Sequence, residues 1–434
     1  MSATLLAWLV CYLGLAIRAV ARPVYASACY IVSAMVSPPF WWWGAPISAV
    51  RWNYLSGLFL LVRVIAGGHH NYTSNPICRR QLTLAVLIVS NATFIHYFIA
   101  PNQEISLNGY TYLLKNVLLM CMITASIGAF KDIREFTWIV LICLAYVGYE
   151  ATINERGSFS GGRLEGLGMP NASTANGLAS MIVSVLPLFA AIVVSGHRRE
   201  KIAAILLAPF CVNLLVLCNS RGAFLATIAS GFAYLVASPG RERRKAIGVL
   251  ALGLVCGAML LGDERIIDRF MTTFAAEEDR DRSAQSRTEY WAAGLKVIAS
   301  RPLGSGGDSF NKVYGPGLLN QMYGTDYEER SVHQGFINIA CDWGVQGLAL
   351  QLMLFVSGFW LLFKKGRLAY LRGDMHATHF CSAVSACGVA YLITCLFGDF
   401  LDDEWGFWVV GMMFGLLRVV DDPLVNARQA AAGA

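Results

Sequence analysis

The sequence predicts an all-α fold: a polytopic membrane bundle of about 12–13 transmembrane helices of roughly 20 apolar residues each, with a long helical loop outside the membrane. Three observations carry this. The 434 residues are 56% hydrophobic, with a mean hydropathy of +0.52. Only 14% are charged, against about 25% in soluble domains. The Lys and Arg residues fall in alternate loops, as the positive-inside rule requires of a multi-pass chain. So little polar surface excludes a disordered chain, a nucleic-acid binder and an ordinary cytosolic enzyme. The net charge of +6 is small and sided.

Apolar runs between polar breaks place spans at 4–20, 24–43, 52–66, 81–100, 110–129, 136–151, 177–195, 202–218, 222–238, 246–262, 344–363, 379–398 and 404–420. They group into N-terminal spans (1–151), a central unit (152–365) and C-terminal spans with a tail (366–434). The first run starts at Thr4 with no base before it, which reads as a retained anchor rather than a cleaved signal. Pro38-Pro39 and Trp41-Trp42-Trp43 predict a broken second span with an interfacial aromatic belt. One set of loops holds Arg18 and Arg22, Arg79-Arg80, Lys131 and Arg134, Arg198 to Lys201, Arg241 to Lys245, and Lys364 to Arg372. That set is expected in the cytoplasm of an inner-membrane protein. The opposite loops are short and poor in bases, except 152–176 and 263–332. Acids outnumber bases in 263–332, so bulk charge does not make it a polyanion surface. Most of the twelve cysteines lie inside apolar runs with no metal or disulfide spacing and read as small core residues.

Three features converge on the outer, periplasmic side. Ser220 is a natural N-cap that makes Arg221 the first residue of a helix, where free N–H groups and a fixed guanidinium suit phosphate. Ser286 and Glu289 form a capping-box pattern. It predicts that Arg287 also opens a helix, with Trp291, Leu295 and Ile298 as its apolar stripe. His333 precedes the next long run, and a neutral imidazole there can take a proton from a hydroxyl near pH 7. Each residue has a plainer alternative: a snorkelling Arg221, an Arg287 paired with Glu277, Glu278, Asp279 or Asp281, and a satisfied interfacial His333. Together, two arginines can hold a diphosphate while the histidine activates an acceptor, with no metal and no cofactor required.

At these residues the chain resembles the O-antigen ligase and polymerase family of bacterial membrane glycosyltransferases. The resemblance runs over about 160–360. It rests on Gly162-Arg163 through Pro170-Asn171, Asn219-Ser220-Arg221-Gly222-Ala223, Ser286-Arg287 with Trp291, Pro302-Leu303-Gly304-Ser305-Gly306, His333, and Asp342-Trp343-Gly344-Val345-Gln346-Gly347. Arg22-Pro23 and the proline-aromatic run after it faintly resemble the exosortase-associated O-glycosylation ligase branch. The resemblance implies a metal-independent membrane enzyme that moves a glycan from undecaprenyl diphosphate to a saccharide, lipid or protein hydroxyl. It implies Arg221, Arg287 and, more weakly, Arg163 as diphosphate ligands, and His333 as the acceptor-side catalytic residue. Two positions depart from the family: Gln334 stands where Asn is common, and Asp342 where Glu is common.

Other polar clusters read as scaffold. His69-His70 and the His376/His379 pair read as loop residues on the cytoplasmic side, and Asp399, Asp402, Asp403 and Glu404 as an acidic outer rim. Lys115 either faces the bundle interior or snorkels outward. A repeat-unit polymerase would use the same chemistry on another acceptor. A transporter would place charges deep in the spans, where only Lys115 and Arg63 are found.

Overall fold

The computed structural model describes residues 2–68, 72, 74–169, 172–248, 250–251, 282–324 and 329–420. His69-His70, Pro170-Asn171, most of the expected 246–262 span, the 263–281 part of the long loop and the C-terminal tail lie outside the described residues.

The described residues are almost entirely helical, apart from one short hairpin. In order run α1 (Ala3–Ala19), α2 (Val24–Met35), α3 (Trp52–Arg63), α4 (Pro76–Phe94), α5 (Gln103–Ser126) and α6 (Phe130–Thr152). A two-stranded antiparallel hairpin follows, β1 (Ser158–Ser160) and β2 (Arg163–Glu165). Then come α7 (Ala175–Val185), α8 (Pro187–Ser195), α9 (Arg198–Cys218), α10 (Arg221–Ala237), α11 (Arg282–Ser300), α12 (Gly315–Tyr323), α13 (Gly335–Leu371), α14 (Met375–Thr394) and α15 (Glu404–Val420). Among the described residues, six helices are long and apolar enough to cross a membrane: Pro76–Ile99, Phe130–Thr152, Ala175–Ser195, Arg198–Cys218, Gly335–Leu371 and Met375–Thr394. Four shorter apolar helices accompany them.

Local chemistry sets many of the boundaries. Asn75 caps α4 by accepting the N–H groups of Ile77 and Cys78, with Pro76 at the first helical position. The second apolar run breaks where its prolines predict, and α2 gives way to short 3₁₀ turns at Pro38–Phe40 and Ala45–Ile47. Trp8, Tyr12, Trp43 and Trp52 cluster there, with ring centroids 5.0–5.9 Å apart, Trp8 stacked on Tyr12 and Trp52 meeting both edge to face.

The bundle is built round α14 and α15, which are buried on nearly every face. α14 packs against α7, α8, α10, α13 and α15, and α15 against α5. Small side chains (Ala383, Ala386, Cys387, Ala390) let α14 approach its neighbours closely. The Thr124 hydroxyl of α5 donates to the Gly411 carbonyl of α15 at 3.0 Å. Lys115 of α5 is exposed, so it points out of the bundle.

The basic turns collect at one end. Arg22 binds Asp132 and Glu135, Arg134 binds Glu200, and His379 binds Glu242. His379 departs from its reading as an exposed loop residue. It is fully buried inside α14, 3.0 Å from the Tyr234 hydroxyl and 2.7 Å from Glu242. A buried imidazole needs partners on both nitrogens, and Glu242 supplies one from a turn the sequence places far away. The hairpin, the turns before α10 and α15, and the segments 282–324 and 329–334 occupy the opposite end, the far end.

These two segments build a small lobe whose core, completed by Cys341 of α13, is Tyr290, Ala293, Val297, Phe310, Leu319 and Val332. Of the expected apolar stripe of α11, Trp291 and Ile298 are partly buried and pack against this core, while Leu295 is exposed and the fully buried face runs through Tyr290, Ala293 and Val297.

Candidate functional site

The short turn between α14 and α15, residues 395–403, organises the far end. Its Asp399 carboxylate accepts the backbone N–H of His333 at 2.9 Å and of Gln334 at 3.0 Å, and the Ser331 hydroxyl also bonds to it. The Gly335 N–H donates to the Cys395 carbonyl at 2.7 Å. These bonds hold His333 in the left-handed region, at φ 57°, a costly conformation for a residue with a Cβ. The ring Nδ1 then lies 3.7 Å from Asp399 Oδ2. Sequence reading assigned Asp399 to an acidic rim. It is instead the clamp on the histidine, and only contacts across 65 residues or more reveal it.

Gln334 caps α13: its Oε1 accepts the Ile337 N–H at 2.6 Å. The amide at this position thus closes the helix start, a role that Asn or Gln can fill.

Electrostatics favour a neutral His333. Burial holds the imidazole below its ordinary value of 6.5, and the nearby Arg287 and Arg330 push the same way, while Asp399 opposes them. Burial also raises the carboxyls of the turn. Asp399 lies above its usual range despite its donors, and Asp402 is pushed up to about 7.

Arg221 is the first residue of α10, as expected, and Asn219 turns the chain there with φ 45°. Ser220 occupies the N-cap position without capping. Its hydroxyl donates to Asn176 Oδ1 at 3.0 Å. Arg163 of β2 meets the same Asn176 oxygen and donates to the Cys218 carbonyl at 3.3 Å. The hairpin arginine and the Arg221 turn are therefore tied together. A Cβ at Gly222 would stand 2.8 Å from the Phe397 ring, so the start of α10 lies against the same turn that clamps His333.

Arg287 does not open a helix. α11 starts at Arg282, and Arg287 lies in its second turn. Ala284 and Gln285 are good helix formers, so nothing stops the helix from running through Ser286. One turn on, Tyr290 sits 6.4 Å from the His333 ring, centroid to centroid. The acids proposed as alternative partners of Arg287, residues 277–281, lie outside the described residues.

The two glycine motifs are one structural joint. Asp342 accepts the N–H of Ser309 at 3.2 Å and its hydroxyl at 3.0 Å, and the Asp342 carbonyl accepts the N–H of Ser305 and Gly306. Val345 N–H donates to the Pro302 carbonyl at 3.0 Å. α13 breaks at Gly344, with φ 74° and ψ 169°. Gly304, at φ 99°, faces it so closely that a Cβ would stand 2.6 Å from the Gly344 nitrogen. The joint fixes the lobe, and with it Arg287, to the helix that His333 introduces.

Thus His333, Arg287 and Asp399 form one group and Arg163 with the Arg221 turn another, and residues 395–403 touch both. Among the described residues no group of three or more His, Cys, Asp or Glu side chains is placed to hold a metal ion.

Residues 202–352 match the family model described as O-Antigen ligase. The match spans α9, α10, the lobe and the first half of α13, and so includes Arg221, Arg287 and His333, while Arg163 and Asp399 fall outside it. No curated protein matches the chain.

Proposed function

For a multi-pass membrane protein carrying an O-antigen ligase family domain, we propose the transfer of a glycan from an undecaprenyl-diphosphate carrier to an acceptor hydroxyl. The site end would face the periplasm and the basic end the cytoplasm of the inner membrane. The acceptor oxygen attacks the anomeric carbon as the bond from that carbon to the diphosphate oxygen breaks. The electron pair leaves with undecaprenyl diphosphate, the acceptor proton passes to His333, and the anomeric centre inverts. Arg221 and Arg287, with Arg163 beside them, bind the diphosphate and stabilise the leaving charge, so the step is written without a metal. Donors placed in this way are worth about 10²–10³ in rate each. Asp399 is a positioning residue: it holds the His333 backbone and faces Nδ1, leaving Nε2 to receive the proton.

The observation that carries this reading is the shared turn. One side of residues 395–403 clamps His333, whose imidazole feels Arg287, and the other packs at the start of the Arg221 helix. The test uses purified protein, a lipid-linked glycan and an acceptor, with and without chelator. His333→Ala and Arg287→Ala are each expected to lower transfer by about 100-fold or more, with chelator leaving the rate unchanged. Full transfer by either variant overturns the assignment.

A further inference from the structure

At the basic end lies a cavity of about 470 Å³, within the roughly 300–1,000 Å³ of small-molecule sites. It opens where the starts of α2 and α6 meet the ends of α5 and α15 and the turn after α3. Its wall carries Arg22, Lys131 and Arg418, with one carboxylate, Asp132. We propose that this cavity binds the phosphate-bearing headgroup of an anionic lipid.

Three features support a built site rather than a chance gathering of loop bases. First, Arg418 is a buried arginine near a helix end, only 8% exposed. It donates to the Thr124 and Ala125 carbonyls at 3.4 and 3.1 Å, at the negative end of α5. An arginine that served only to mark topology would sit in water, since burying one in a membrane bundle is costly. Second, Asp132 is saturated with donors. Its carboxylate accepts the N–H groups of Gly128 at 2.7 Å and Ala129 at 2.8 Å, and it also binds Arg22. Its charge is therefore offset, and it does not guard the cavity against an anion. Lys131 adds a cation at the rim, its side chain 70% exposed and 3.8 Å from Glu135, which it shares with Arg22, so that the three bases of the wall outnumber the two carboxylates they meet. Third, the mouth borders a lipid-compatible surface. Gly67 lines it, and Ile65, Ile17 and Val20 nearby are 61%, 73% and 67% exposed. A headgroup in the cavity would have apolar side chains beside it for its acyl chains. A soluble phosphate ester would use only the charged part.

The experiment uses the full chain in detergent. Its thermal midpoint is measured with added phosphatidylglycerol, phosphatidylcholine, glycerol 3-phosphate or inorganic phosphate. Phosphatidylglycerol is expected to raise the midpoint by several degrees and phosphatidylcholine to have little effect. Lys131→Glu, a change at an exposed side chain, is expected to cut the phosphatidylglycerol shift at least threefold. Arg418→Gln is expected to abolish it, with Lys131→Glu deciding if Arg418→Gln fails to fold. Equal shifts by the two lipids, or an undiminished shift in Lys131→Glu, overturn the site. An equal shift by glycerol 3-phosphate overturns the lipid assignment and assigns the cavity to soluble phosphate esters.

Discussion

At the scale of single residues, the histidine's chemistry depends on how it is held. Its pKa lies below 6.5 because burial and two arginines disfavour the imidazolium. A base must be neutral to accept a proton. The acid limb of the transfer rate should therefore have its midpoint below pH 6.5, as the imidazole protonates. Arg287→Gln removes one of the groups that depress the value, so the acid limb of the remaining activity should move to higher pH. A pH–rate profile of parent and variant checks this, and a limb that stays in place would dissociate Arg287 from the imidazole. His333, Arg221 and Arg287 were candidates in the sequence because charged and imidazole groups next to apolar runs are conspicuous, while Arg163 was a candidate only through the family resemblance. Asp399 was visible too, but its partners were not. Its bonds run to backbone N–H groups of a distant segment, and backbone donors leave no mark in a sequence. The left-handed turn at His333 is equally silent, being imposed by those bonds rather than by the residue type.

At the scale of elements, the joint between 302–309 and 342–346 explains why two glycine-rich motifs far apart in sequence occur together. Gly304→Ala places a Cβ against the backbone at Gly344 and forces an L-residue to adopt φ 99°. Strain of this kind costs about 1–3 kcal/mol. The variant should melt several degrees lower and lose transfer more than stability, because the lobe that presents Arg287 loses its fixed seat. Thermal melting alongside an activity assay checks both, and unchanged activity at a lowered melting point would show that the joint serves folding alone. The elements themselves were largely readable. The break after α2 and the helical lobe followed from proline and apolar spacing, whereas the helix opened by Arg221 starts where expected with Ser220 bound to Asn176 rather than capping it. The start of α11 differs from the capping-box pattern because the residues before it are themselves helix formers.

At the scale of the whole molecule, the alternation of basic turns and the contacts among them agree. Arg22, Lys131, Arg134, Glu200, Glu242 and His379 gather at one end of the bundle. The hairpin and the His333 turn gather at the other. In a cysteine-free background, Lys131→Cys and Phe159→Cys, at exposed positions of opposite ends, should react with an impermeant thiol reagent from opposite sides of the membrane. Phe159→Cys should be the one that reacts from the periplasm. Labelling of both from one side would overturn the proposed orientation. This level was the most legible in the sequence, because it rests on composition and charge, which membrane insertion reads directly. What composition could not show is which turns touch.

Surface connections between helices usually tolerate added or lost residues. The stretch from Phe397 to Leu401 is an exception that the geometry predicts. It has to reach the α10 start with Phe397, the histidine segment with Asp399 and the Gly335 backbone with Leu401, all from a fixed number of bonds. If the proposed function holds, the length of that connection is itself a functional quantity, and related chains that keep the same chemistry should vary in its side chains before they vary in its residue count.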